Sequence, residues 1–536
     1  MGAASAARAQ APPDSLAYAR VRVAGGRLAG VALAGGVRVF RGIPYAAPPV
    51  GTRRWQPPQP AAAWAGVRPA TEFGPYAPQQ VPFYAQPRAT RMSEDCLYLN
   101  VWTGAAAGQA RRPVYIFIHG GAFLTGDGSD ALYDGESMAR QGVVYVTLNY
   151  RLGALGFLAH PELTRESPHH ASGNYGLLDQ AAAIAWVRAN IAAFGGDPQR
   201  ITIGGESAGS HAVSLHLASP LTRGLLAGAV AESGALLDLQ HASNQPLAAA
   251  EQTGVALARR AKAPTLAALR AMPAQQVLRA GRRLGGKAFL PIVDGYFLPQ
   301  SPLDILAAGQ QAQVPLLAGW NAAEVPALLL LGLRRPTPRG FRAAVRRRYG
   351  ARAEEVLRAY PAATRAEARQ AALDLANDRT IGFGTWKLAD LQVQTSARPV
   401  YRYLYAHPSP PLTKQFRRAG GLKTRLLKYA FDKLNTGQAR HGAEIVYALG
   451  NLAASPIYTW QAADYAVAQR VQGYWVNFLK TGSPNGVDAA GAPLPAWPAL
   501  RPGSGGQLLR LEATPRVETD HTRPRYLLLQ QIGYPQ

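Results

Sequence analysis

The 536-residue chain has a single cysteine, Cys96, which excludes an intrachain disulfide and any cysteine-based metal cluster. Acidic residues are scarce as well. There are 32 Asp and Glu against 57 Lys and Arg, for a formal charge of +25. The excess arginines are spread along the chain, with no zinc-finger spacing and no aromatic–basic RNA-binding signature, so no nucleic-acid partner is expected. Long apolar runs are missing too. The leucine-rich "ALLLLGLRR" (Ala327 to Arg335) breaks off far short of the ~18 residues that a membrane span needs, and no transmembrane segment is expected. Low-complexity linkers and repeats are also absent. With 48% hydrophobic and 17% charged residues the composition is globular. Residues 16–536 therefore read as a single domain. Residues 1–15, "MGAASAARAQAPPDS", end in small residues like a signal-peptide tail but carry no apolar core. They read as the remnant of an export signal. The expected location is secreted or periplasmic, with the cytoplasm as the alternative.

What is present begins with the β-branched and aromatic runs "VYIFIHGG" (Val114 to Gly121) and "VVYVTLNY" (Val143 to Tyr150), which read as buried strands of a mostly parallel sheet. The segment "LLDQAAAIAWVRANIAAFGGDP" has helical spacing and closes on Gly195, Gly196 and Pro198. Then "ITIG" leads into "GESAGSHAVSLHL". Strand, serine turn, helix is the layout of a nucleophile elbow around Ser207, with Gly205 and Gly209 small because strand and helix backbones approach closely there. In a glycine-rich chain of this length the motif alone decides little.

A serine hydroxyl attacks a carbonyl when an imidazole takes its proton and a carboxylate holds the other ring nitrogen. In α/β-hydrolase sheets the chain order is serine, acid, histidine. His407 reads as a strand-end residue and His521 lies in the charged tail, whereas His441 sits in a polar, glycine-flanked loop. Glu324, shortly after the strand-like "VPLLAGWN", is the candidate acid. Asp294 in "VDGY" competes but carries a turn signal, and Asp374 and Asp378 read as solvated or capping residues on a helix. The turn "HGGAF" (His119 to Phe123) and the amide of Ala208 supply main-chain donors for a developing oxyanion.

These residues resemble the type-B carboxylesterases, the α/β-hydrolase family that includes bacterial para-nitrobenzyl esterases, animal carboxylesterases and cholinesterases. The blocks "FRGIPYAAPPVGTRRWQPP", "SEDCLYLNVW", "IHGGAF", "NYRLGALGFL", "GNYGLLDQ", "FGGDPQRITIGGESAGS" and "VNFLKTGSPNG" look like the family's signatures in the family's order. The resemblance implies an α/β-hydrolase fold, with a mostly parallel central sheet flanked by helices and helical insertions at the active-site rim. It implies Ser207 as nucleophile, Glu324 as acid and His441 as base. Gly121, Ala122 and Ala208 would form the oxyanion hole, and Ser233 and Glu444 would support the triad from behind. No metal and no organic cofactor is implied. Where relatives pair the cysteine of "EDCLYLN" with one upstream, this chain has Ala77, so Cys96 should be a free, buried thiol. Val325 follows the acid where the family usually has glycine.

The expected activity is hydrolysis of small-molecule carboxylic esters through an acyl-enzyme. The alternative is a catalytically silent binding or adhesion protein of the same fold. Phe123 and Trp386 are candidate pocket walls and equally ordinary core aromatics. The basic stretch Pro411 to Arg440, whose only acid is Asp432, has two open readings. It is a solvated basic helix, or it is a rim whose Arg417, Arg418 and Lys423 attract esters with free carboxylates.

Overall fold

A computed structural model describes residues 18–105, 111–235, 245–286, 288–332, 334–502 and 506–533. The N-terminal residues 1–15, read as the remnant of an export signal, lie outside them. Thirteen strands among the described residues build one sheet. In chain order they are β1 (Tyr18–Val23), β2 (Gly26–Ala32), β3 (Arg38–Pro44), β4 (Val67–Pro69), β5 (Tyr98–Thr103), β6 (Arg112–Ile118), β7 (Val144–Leu148), β8 (Gly196–Glu206), β9 (Gly228–Glu232), β10 (Leu316–Asn321), β11 (Val400–Tyr405), β12 (Gln507–Leu511) and β13 (Arg516–Thr519). The spatial order is β1-β2-β3-β5-β7-β6-β8-β9-β10-β11-β12-β13, with β4 beside β2. From β7 through β12 every pairing is parallel, and the flanks are antiparallel except for the short parallel pairing of β4 with β2. This is the α/β-hydrolase architecture anticipated from the sequence.

The central strands are mostly apolar and buried because both faces are covered. Along β6 the side chains alternate. Val114, Ile116 and Ile118 enter one core, and Tyr115 and Phe117 enter the other. The helix Tyr175–Asn190 buries Leu177, Gln180, Ile184 and Val187, a helical 3-4-3 spacing, on the first face. It ends through a 3₁₀ turn with Gly195 at φ 79°, the left-handed stop that the glycine pair announces. On the second face the helix Ala462–Thr481 buries Val467, Val471, Trp475 and Phe478. Helices between Pro338 and Thr395 carry a third core around Phe341, Leu375 and Trp386. Cys96 is a free, fully buried thiol. No helix among the described residues is long and apolar enough to cross a membrane.

Candidate active site

The parallel strands deliver their functional residues at one edge, their carboxyl ends, where ligands bind in open α/β sheets. Strand β8 ends at Glu206 and the chain reverses at Ser207, which has φ 56° and ψ −121° and caps the fully buried helix Ala208–Ala218. Ser207 N donates to Glu232 O at 2.9 Å, tying the turn to β9. A Cβ on Gly205 would come within 2.5 Å of Ile118 O, and one on Gly209 would strike the same carbonyl. The glycines of "GGESAG" are therefore required by the approach of β6 to the elbow.

The turn after β6 lies against this elbow. A Cβ on Gly120 would meet Glu206 O at 2.7 Å and the Cβ of Ser207 at 3.1 Å. The turn is pinned by Leu124 and Thr125 amides on Gly121 O at 3.0 Å, and by the Tyr150 hydroxyl on His119 O at 3.0 Å. Of the seven non-glycine residues with positive φ among those described, Ala122, Phe123, Ser207 and Ser233 cluster here. Such strain persists only where surrounding structure over-determines it. The amides of Gly121, Ala122 and Ala208 have no protein acceptor among the described residues.

Acid and histidine arrive on two loops that are zipped together. Ala323 N donates to Ala439 O at 2.9 Å, and Asn321 Nδ2 donates to Arg440 O at 2.7 Å. Glu324 Oε2 then lies 2.6 Å from His441 Nδ1, while its Oε1 accepts from Asn321 N at 2.6 Å. The carboxylate partner assigns the proton to Nδ1. Val325, unlike glycine, adds apolar packing, and its amide donates to Asn377 Oδ1 at 2.9 Å. Behind the histidine, Ser233 Oγ donates to Glu444 Oε1 at 2.9 Å, and Asn321 Nδ2 donates to Glu444 Oε2. Burial pushes the Glu444 carboxyl up to about 8, with Glu206 and Glu324 adding to it.

Ser207, Glu324 and His441 all line one cavity of about 620 Å³, with Gly121 and Ala122 on its wall. The remaining wall includes Tyr84, Phe431, Arg440 and Tyr458. Phe123 and Trp386 do not line it. Phe123 packs on Phe157 with ring centroids 5.2 Å apart, and Trp386 is fully buried against Tyr526, so both are core aromatics. Arg417, Arg418 and Lys423 also stand off the cavity. Arg417 pairs with Asp432 at 2.9 Å, and Arg418 and Lys423 are exposed. The rejected acids behave as turn and scaffold residues. Asp294 Oδ1 accepts the amides of Tyr296 and Leu298, and Asp374 pairs with Arg525. Of the two readings for Asp378, solvated or capping, the second holds: it is the C-cap of the helix Arg365–Asn377. It is buried and receives the Tyr360 hydroxyl at 2.7 Å.

Two residues of the site escaped the sequence reading. Glu206, the variable position inside G-x-S-x-G, is buried with Oε1 3.3 Å from His441 Nε2. Its signal was a carboxylate directly after the uncharged run Ile201 to Gly205. Arg440, beside the candidate base, was also passed over. Its guanidinium donates to His441 O at 3.0 Å and to the Tyr458 hydroxyl. No group of three or more metal-ligating side chains occurs among the described residues.

Sheet, elbow and edge cluster together define an α/β hydrolase. The model of the carboxylesterase family matches residues 17–527, and the chain belongs to that family. It is 37% identical over 469 residues to the fumonisin B1 esterase of Sphingopyxis macrogoltabida, covering 84% of this chain and 80% of that protein. It is 33% identical to the para-nitrobenzyl esterase of Bacillus subtilis (strain 168), covering 90% and 93% of the two chains. Among solved structures, the Geobacillus stearothermophilus carboxylesterase EST55 superposes with a TM-score of 0.76 at 33% identity, covering 95% of this chain and 99% of that one. The protein is a carboxylic ester hydrolase, which replaces the silent-binder alternative.

Proposed function

We propose that ester cleavage here proceeds through an acyl-enzyme on Ser207. The Ser207 oxygen bonds to the ester carbonyl carbon as its proton passes to Nε2 of His441. The negative charge moves onto the carbonyl oxygen, held by the amides of Gly121, Ala122 and Ala208. Collapse breaks the bond to the alcohol oxygen, which leaves with the proton from His441. Water then attacks the acyl carbon with His441 again as base. The carboxylic acid departs and Ser207 regains its proton. Glu324 orients the imidazole and offsets its charge. No step requires a metal or an organic cofactor.

The observation that carries this reading is the 2.6 Å contact between Glu324 Oε2 and His441 Nδ1, in a cavity shared with Ser207 and with Gly121 and Ala122, whose amides have no protein acceptor among the described residues. Replacing Ser207 with alanine should lower kcat on a small p-nitrophenyl ester by about 10³-fold or more. Turnover near that of the unmodified enzyme would end the assignment. For the substrate class, we propose esters that carry a free carboxylate. Two observations support it: the +25 formal charge, and Arg440 on the cavity wall. Arg417, Arg418 and Lys423 would act over a distance, by raising the local concentration of anions rather than by contact.

A further inference from the structure

The connection from β11 to His441 contains two helices, Lys414–Arg418 and Leu422–Asn435, and the second has its polarity turned inside out. Lys428 is buried, with Nζ donating to Phe416 O at 3.0 Å and lying 3.8 Å from the centre of the Phe416 ring. Large apolar side chains of the same helix face outward instead. Leu422 is 75% exposed, Leu426 61% and Tyr429 58%, at i, i+4 and i+7 on one stripe. Leu427 adds to the exposed surface. A helix whose outer face meets only water gains nothing from this arrangement.

Cations surround that stripe. Between the two helices lies a cleft of about 350 Å³, walled by Lys414, Arg417, Arg418 and Arg425 together with Leu426 and Tyr429. Asp432, the only acid of the segment, is buried, where it accepts the Leu412 amide at 2.7 Å and pairs with Arg417. Outward, the segment therefore presents apolar and positive groups side by side. That is the surface chemistry of an interfacial helix on anionic lipid, where cations meet headgroups and apolar side chains enter the acyl boundary. Two further exposed leucines, Leu328 and Leu329, follow β10, the parallel neighbour of β11, and so leave the sheet at the same edge. The helix also touches the active-site cavity. Phe431 packs on Phe83 at 5.6 Å and on Tyr84 at 6.3 Å, and Tyr84 and Phe431 both line that cavity.

We propose that the helical pair Lys414–Asn435 docks this esterase on a lipid surface bearing anionic headgroups, with the cations of the cleft at the headgroups and Leu422, Leu426 and Tyr429 in the acyl boundary. Docking in this orientation sets against the lipid the helix that lines the cavity through Phe431. The binding itself does not depend on the catalytic assignment, because it is read without turnover.

The test is co-sedimentation of the full chain with vesicles of phosphatidylcholine containing about a third phosphatidylglycerol, against pure phosphatidylcholine. The unmodified protein should bind the first and not the second. The triple variant Leu422→Ser, Leu426→Ser, Tyr429→Ser keeps every charge. Its bound fraction should fall by about tenfold, with turnover of a soluble p-nitrophenyl ester unchanged. Equal binding by the triple variant would mean that net charge alone attracts the protein, and would overturn the proposal. So would failure of the unmodified protein to bind, or a dimer that dissociates in the triple variant, which would assign the face to a second copy. Since Cys96 is buried, a single Leu426→Cys variant can be labelled with a polarity-sensitive dye. Its emission should shift to the blue on the anionic vesicles, and an unshifted spectrum on bound protein would equally overturn insertion.

Discussion

The carboxylate of Glu206 stands 3.3 Å from Nε2 of His441, on the ring nitrogen opposite the one that Glu324 holds at 2.6 Å. One imidazole thus lies between two buried carboxyls. Burial pushes Glu206 up to about 7, the neighbouring Glu324 pushes it the same way, and His441 pulls it down. For the histidine, burial acts downward but is outweighed by Glu206 and Glu324, so its pKa lies above the usual imidazole range. Proton affinity in this cluster belongs to the group rather than to any single residue.

Replacing Glu206 with glutamine removes one of the charges that stabilise the imidazolium, so the pKa of His441 should fall. A base that loses its proton at lower pH moves the acidic limb of the kcat/KM profile downward. The expected displacement is about 1 pH unit or more, the ordinary size of an opposite-charge effect at this distance. The check is a pH–rate profile on a neutral ester, whose own ionisation cannot contribute. An acidic limb that stays in place would show that Glu206 is already protonated over that range.

Gly120 makes a second, steric prediction. The Cβ of Gly120→Ala would press on the main chain of Glu206 and on Ser207, neither of which is the end of a flexible side chain. The turn carrying the Gly121 and Ala122 amides must then move away from the elbow. Loss of a well-placed oxyanion donor costs about 10²–10³ in kcat. We expect a fall in kcat of that order, with KM much less affected, as measured by steady-state kinetics. A parallel loss in both would mean that the cavity as a whole has been distorted.

How much of this was legible in the sequence depends on whether an interaction is local. The elbow at Ser207 and the strands around it are written in short runs, because apolar continuity and glycine pairs act within a few residues. The acid and the base were harder, since Glu324 and His441 meet only through the pairing of Ala323 with Ala439 and Arg440. Chain order narrowed the choice, and resemblance completed it. Phe123 and Trp386 could not be placed by pattern, because an aromatic in a core and one on a pocket wall have the same local signature. Glu206 was hidden by its position in a motif that leaves it unspecified. The inverted polarity of the helix Leu422–Asn435 appears only when Lys428 is seen to point inward.

The recurring blocks "NYRLGALGFL" and "GNYGLLDQ" also acquire a physical reason. Arg151 from the first makes a two-pronged ion pair with Asp179 from the second, at 2.7 and 2.8 Å, and the Arg151 amide donates to the same carboxylate at 3.0 Å. Both side chains are almost completely buried. Asp179→Ala would leave a guanidinium without its counter-charge, and breaking one side of such a pair costs about 3–5 kcal/mol. The midpoint of urea unfolding should fall accordingly. Any residual folded enzyme should keep its pH profile, because the pair lies outside the cavity lined by Ser207 and His441.

Long-range attraction and direct contact make different demands on salt, and this separates the two ways in which the positive charge could select substrates. Between about 0.01 M and about 1 M ionic strength the screening length falls from ~30 Å to ~3 Å. If Arg417, Arg418 and Lys423 act from outside the cavity, kcat/KM for a carboxylate-bearing ester should fall steeply over that range, while a neutral ester of similar size should barely respond. Replacing the three with glutamine should flatten the slope for the anionic ester and leave its high-salt value unchanged, because no contact is lost. Arg440 faces the cavity, so Arg440→Gln should instead lower the anionic rate at all salt concentrations. Equal slopes for both esters would remove charge from the account of specificity, and the acyl and alcohol preferences would then rest on the shape of the cavity between Tyr84, Phe431 and Tyr458.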